Sequence, residues 1–291
     1  MNSKVYIITE INTNSLMELF DFVTAGKQFG SGKTGIKVHS GELGGNNFVK
    51  PSLIKDIVKK LNGTIVDANT PYSGNRNNNI GHWKTFKEHG FTEIANCDLL
   101  DEEGDIELPV IGGKYLSKNY VGSHFFNYDS FLVLTHFKGH STCGFGGALK
   151  DYSIGLASLK GKCWIHTAGQ SKDNVYFPTT QEQFLDAMVE AMSSINKLNR
   201  EFLFINIMNN LSIDGDGNAN PREPEIDDIG ILASFDPVAL DKACLDLIYG
   251  LEDEGKKGII NRIEEKKGIY VIREAGERKI GNINYELIYV K

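Results

Sequence analysis

Strand-like apolar runs alternate with amphipathic helical stretches along nearly all of this 291-residue chain, and that alternation admits few folds. Strands are expected at residues 4–9, 35–39, 64–68, 131–137, 202–208, 230–234 and 285–290. Between them the capping signals mark helices. Ser15 and Glu18 have capping-box spacing and Gly26 suits a C-terminal cap. Pro51 suits the first position of a helix running to about Leu61. Further helices are expected at residues 80–89, closed by Gly90, at 181–198, from the Asp236–Pro237 pair onward, and near Val271. Residues 106–123, with Gly112 and Gly113 at the centre, read as an antiparallel hairpin. The class is therefore α/β. A mostly parallel, Rossmann-like sheet is flanked by helices, with an antiparallel hairpin excursion. Residues 1–291 form one such unit, or two lobes with the hairpin inserted near 104–124.

Composition removes several functions. A net charge of −7 disfavours general nucleic-acid binding, which needs a basic face. No apolar run reaches the length of a membrane span. The first fifteen residues read as a first strand and not as a signal peptide, which suggests a cytoplasmic protein. Cys97, Cys143, Cys163 and Cys244 are scattered without a CxxC pair, as expected of free thiols in a reducing compartment.

In open parallel sheets, ligands bind beyond the carboxyl ends of the strands. Here those ends lead into unusually polar or Gly-rich loops at residues 39–47, 67–76, 136–147 and 214–220. A shared sheet would gather the four loops at one edge. The richest follows residues 131–137. His136, Lys138 and His140 are followed by Gly144, Gly146 and Gly147, and then by Lys150 in the first turn of an expected helix. A glycine loop at a helix N-terminus cradles anions, and a cation in the first turn opposes the macrodipole unless an anion is near. His136 and His140 suit metal ligation or proton transfer, with His166 as a further ligand or base. The plain alternative makes them ordinary loop residues paired with carboxylates. Asn69, Thr70 and Arg76 form a polar turn in which Arg76 grips a carboxylate or phosphate, or which is simply an Asx turn. His39 joins them as a ligand-binding candidate.

Two further patterns are weaker. Gly30 to Thr34 has the look of a P-loop, but Lys27 stands where that motif needs glycine, and a helix precedes it. Asp214, Asp216, Asn218, Asn220 and Glu225 fall at EF-hand calcium positions. Ala219, Pro221 and Pro224 fit a plain turn better. Asp236 reads as a helix cap and Asp241 as a surface residue of the same helix.

The blocks GIKVHSGE, VDANTPYSGNR, HWKTFKEHGF, VLTHFKGHSTCGFGGALKDYSIGLAS and ILASFDPVALDKACLDLI together resemble the bacterial and archaeal family catalogued as domain of unknown function 362, often labelled Fe–S center proteins. The resemblance implies an α/β fold and a site, without supplying a reaction. Many members carry a cysteine-rich ferredoxin-like insert after the position of His166. This chain has residues 171–183 there, without cysteine, so no Fe–S cluster of the Cys₄ kind is expected. The segment from His140 to Ser158 is also similar to part of the nickel-pincer lactate racemases. That likeness implies Lys150 as a cofactor attachment point, His166 as a metal ligand, and His136 or His140 as an acid or base.

The expected function is a site for a small anionic molecule, a cofactor or a divalent metal, built on HFKGH…GFGGALK. The alternatives are a racemase- or isomerase-like enzyme with a nucleotide-type cofactor on Lys150, and a non-catalytic relative acting as a redox or protein partner.

Overall fold

The computed structural model of the chain describes residues 2–217, 220 and 222–291. β1 (Ser3–Ile8), α1 (Thr13–Thr24), β2 (Thr34–Lys37), α2 (Pro51–Lys60), β3 (Thr64–Asp67), α3 (Asn79–Glu88), α4 (Phe91–Ile94) and β4 (Cys97–Leu99) form the first stretch. The hairpin β5 (Asp105–Pro109) and β6 (Lys118–Gly122) follows. Then come β7 (Ser130–His136), the small hairpin β8 (Lys138–His140) and β9 (Gly144–Gly146), α5 (Ala148–Lys150), α6 (Leu159–His166) and α7 (Gln181–Asn196). β10 (Glu201–Met208), β11 (Gly230–Ser234), α8 (Pro237–Gly250), α9 (Lys256–Glu265), α10 (Gly268–Glu277) and β12 (Tyr285–Tyr289) complete it.

Eight strands form one sheet in the order β12-β1-β11-β10-β7-β2-β3-β4. All pairings are parallel except those of β11, which runs against both β1 and β10. The fold is α/β with a mostly parallel sheet, as the alternation implied. β7 lies between β10 and β2, and residues alternate between its faces. Leu132 and Leu134 face the cluster built with α1 to α4, whereas Phe131 and Val133 face the cluster built with α7, α8 and α10. Both faces are covered, so β7 is buried along its whole length, and burial of each large side chain contributes roughly 1.5–3 kcal/mol.

The capping signals are met with one change. Asn12, not Ser15, caps α1, its side chain accepting the Ser15 amide at 2.9 Å, and Ser15 is buried in the helix. Asp236 caps α8 through the Val238 and Ala239 amides. The β5–β6 hairpin is packed down on α6 and α7. Trp164 donates to the Lys118 carbonyl at 2.9 Å, and the buried Glu190 carboxylate accepts three amides of the hairpin turn, at Lys114, Tyr115 and Leu116. The four cysteines are free thiols. Among the described residues no helix is long and apolar enough to cross a membrane.

Candidate functional site

From β2 the chain proceeds outward to β3 and β4, and from β7 outward to β10. The boundary between β2 and β7 is thus a topological switch point, where the loops beyond the strand ends diverge and leave a crevice. A cavity of about 340 Å³ lies there. All four polar loops reach it: His39 and Glu42 after β2, Thr70 to Arg76 after β3, Lys138 to Thr142 after β7, and Asp214 to Gly217 after β10. Gly30 to Lys33 precede β2, which Thr34 begins, and these residues line a separate groove at the opposite edge, away from this chemistry.

The floor is a buried charge network. Asp67 accepts the Ser40 amide and hydroxyl at 3.0 Å each and Arg76 Nη1 at 3.2 Å, and lies 3.3 Å from Lys37 Nζ. Burial opposes its charge, but Lys37, His82 and Arg76 outweigh burial and hold the carboxyl well below the usual range. Lys37 also lies 3.7 Å from Asp151. Arg76 lines the cavity, but its guanidinium already serves Glu42, Asp67 and His39. Those bonds tie the loop after β3 to the loop after β2. Asn69 turns away from the cavity, to Asn79 and His82.

His136 sits behind the wall. Its Nδ1 lies 2.8 Å from Asp216 Oδ1 and its Nε2 2.6 Å from the Asn209 carbonyl, so neither ring nitrogen is directed at a ligand. Lys138 donates to Asp216 at 2.7 Å and to the His136 carbonyl at 2.6 Å. Desolvation lowers the Lys138 pKa, while the ion pair with Asp216 keeps it from falling further. Asp216 is therefore held by Lys138 and His136 where a bound calcium would need it. Asp214 Oδ2 accepts the Arg222 amide at 3.1 Å. Asn218, Ala219 and Pro221 of that window lie outside the described residues. Among the described residues no group of three or more His, Cys, Asp or Glu side chains is arranged to hold a metal.

The glycine-rich segment differs in form from a simple loop. Gly144 to Gly146 pair with Lys138 to His140 as a hairpin, and Gly147 caps the single turn of α5. The N-terminus of that turn is occupied by a side chain. Asp241 of α8 accepts the Ala148 and Leu149 amides at 2.8 Å each and the Asn206 amide group at 2.7 Å. Asp241 is fully buried, contrary to its reading as a surface residue. Desolvation raises its pKa to about 7 against those three hydrogen bonds. A Cβ at position 147 would lie 2.5 Å from its carboxylate, so only glycine fits.

What is left for a ligand is lysine. Lys150 is half-buried on the cavity wall, and among the described residues its ammonium has no hydrogen bond or ion pair. His140 and His39 line the same space and are kept neutral, by desolvation first and then by the neighbouring cations, including Lys150 and Lys138. His140 Nδ1 lies 3.0 Å from the Thr142 hydroxyl and 3.2 Å from Cys143 Sγ. His166 is just behind, with Nε2 against the Tyr72 hydroxyl and its ring stacked on Phe184. Burial, then Lys150 and Lys162, lower its pKa to about 3. Sequence reasoning missed Lys37, Tyr72 and Lys162, all of which line the cavity.

The chain belongs to the family described as a domain of unknown function (DUF362), whose sequence profile matches residues 34–246. Among solved structures, the fold is similar to the lactate racemase apoprotein from Thermoanaerobacterium thermosaccharolyticum, at TM-score 0.52 and 12% identity over 84% of this chain and 57% of that one. A Thermotoga maritima protein matches at TM-score 0.44 and 10% identity, over 93% of this chain and 60% of that one. The chain thus spans less than two thirds of the length of either. No curated protein matches the sequence.

Proposed function

We propose that the cavity binds a small organic anion, a carboxylate or phosphate, through Lys150, and that His140 exchanges protons with the bound molecule. One observation carries this reading: a half-buried ammonium on a cavity wall, unpaired among the described residues, with Lys37, Arg76 and Lys138 around it bound to carboxylates. An unpaired charge in such a place is costly, and an incoming anion removes that cost. Burial and the neighbouring lysines keep His140 uncharged, and the negative charge of a bound anion offsets both and lets the ring accept a proton. The test is the melting temperature with inorganic phosphate, pyruvate or lactate. A ligand that binds the folded chain raises it by mass action. The rise should disappear in Lys150→Ala. No rise with any of the three, or an equal rise in the variant, would overturn the reading.

A racemase- or isomerase-like enzyme with a nucleotide-type cofactor is the second reading. The placement of Lys150 beside His140 and His166 favours it, and the fold likeness is consistent with it. Such a group would supply an electron-accepting centre, and the residues present fit it at two points. Lys150 offers an uncommitted amine, and the neutral His166 ring has an Nδ1 without a hydrogen-bond partner among the described residues. A metal carried on an organic group needs fewer protein ligands than a site built by the chain alone. A covalent mass increment on Lys150 in protein from its natural source would support this reading, and an unmodified mass would count against it.

A further inference from the structure

Lys162 sits in the middle of α6 on the cavity wall and is only 4% exposed. Among the described residues no carboxylate lies within ion-pair distance of it. Its Nζ has two acceptors, the Ala157 carbonyl at 2.6 Å and the Ala68 carbonyl at 3.4 Å. An ammonium carries three donors, whereas a neutral amine carries two and a lone pair. The surroundings therefore complete the neutral form and leave its lone pair over. Desolvation agrees, lowering the amine's pKa to about 8. A lysine stripped of water and of its counter-ion is the usual form of a nucleophilic amine. His166, four residues on, shares its helix face, and the Tyr72 hydroxyl bonded to His166 lines the cavity.

We propose that Lys162 is a nucleophile that forms a Schiff base with a small carbonyl compound bearing an anionic group, of the 2-keto acid class. The amine lone pair attacks the carbonyl carbon, a C–N bond forms, and the C=O π pair moves to oxygen. The oxygen takes up a proton, nitrogen loses one, and the carbinolamine expels water as the C=N bond forms. Amine and carbonyl become imine and water, with no change in oxidation state. The proton lost by nitrogen passes to that oxygen within the carbinolamine, and the Tyr72 hydroxyl, held by His166 on the cavity wall, offers the oxygen a hydrogen bond. Lys150 holds the carboxylate, and this last point alone rests on the anion-binding reading above.

The experiment treats the full chain with pyruvate and sodium cyanoborohydride, which reduces the imine to a stable secondary amine, and reads intact and peptide masses. One reduced pyruvate per chain, on Lys162, is expected. Lys162→Arg, verified as folded by its melting temperature, should show none. Absence of an adduct on the wild-type chain, a spread over exposed lysines, or an adduct undiminished in Lys162→Arg would overturn the proposal. Should Lys162→Arg fail to fold, peptide mapping of the wild-type chain decides alone. The melting-temperature rise with pyruvate is read in parallel. A rise that needs Lys150, without an adduct, leaves the anion site standing and removes the Schiff base. An adduct formed equally well in Lys150→Ala does the reverse.

Discussion

The Asp241 carboxylate accepts the Leu149 amide at 2.8 Å, one residue before Lys150. The acceptor for the helix N-terminus thus comes from α8, across the sequence, and the direction of the lysine depends on it. Gly147 makes room for the same carboxylate. Gly147→Ala should cost about 1–3 kcal/mol through overpacking. Gly147→Ala and Asp241→Ala should be strongly non-additive in urea unfolding, because each changes the space the other occupies. Additive costs would mean that the contact does not bear on stability.

The same carboxylate predicts a pH effect of unusual sign. Its pKa is raised to about 7 in the folded chain, against about 4 unfolded. The folded state then holds a proton that the unfolded state has lost, so stability from this group is complete below about pH 4 and declines as pH rises to about 7. The whole effect is on the order of 4 kcal/mol. Asp241→Asn cannot ionise. Its stability relative to the wild type should improve by a few kcal/mol between about pH 5 and pH 8. An equal difference at both pH values would show that Asp241 does not titrate there.

The histidines act in the opposite direction. His39, His82, His89, His140 and His166 all have pKa values lowered in the folded chain, chiefly by desolvation. Below about pH 6.5 the unfolded chain takes up protons that the folded chain refuses, so stability falls as pH drops, by up to about 1.4 kcal/mol per unit for each of the deeply buried rings and by less for the half-buried His89. Five such groups outweigh Asp241. The urea midpoint should fall between about pH 6.5 and pH 5.5, and His140→Gln should reduce the slope. A flat profile over that interval would contradict the burial of these rings as neutral groups.

Much of the fold was legible because burial leaves its mark on sequence. Seven of the eight sheet strands follow apolar runs. The eighth, β4, is a three-residue edge strand, Cys97–Leu99, too short to show alternation. The reversal of β11 had a signal in the lack of any helical stretch between Met208 and Gly230, since a parallel partner requires a crossover. Asp241 was also readable. It shares the buried stripe of α8 with Cys244, Leu245 and Ile248, at helical spacing. The gathering of the four loops followed from strand direction alone. The division of labour within them did not. Whether a cation is unpaired among the described residues, as Lys150 is, or bound, as Arg76 and Lys138 are, depends on partners from distant loops that no local pattern encodes.

The Lys138–Asp216 pair gives the most discriminating test of the loop after β10. Asp216 is buried and bound by Lys138 at 2.7 Å, with His136 at 2.8 Å on its other oxygen. Burial alone would raise its pKa, yet Lys138 first and then His136 hold it below the usual carboxylate value. Removing one member of a buried pair leaves the other uncompensated, at about 3–5 kcal/mol. Asp216→Ala should therefore lower stability by that amount. Lys138→Met should cost less than the sum of the separate losses when combined with it, since the double variant buries no orphan charge. Calcium should leave the melting temperature of the wild-type chain unchanged, because a cation at Asp216 must first displace Lys138. A calcium-dependent rise that Asp216→Ala abolishes would instead make this loop a metal site, with the lysine as its occupant in the metal-free state.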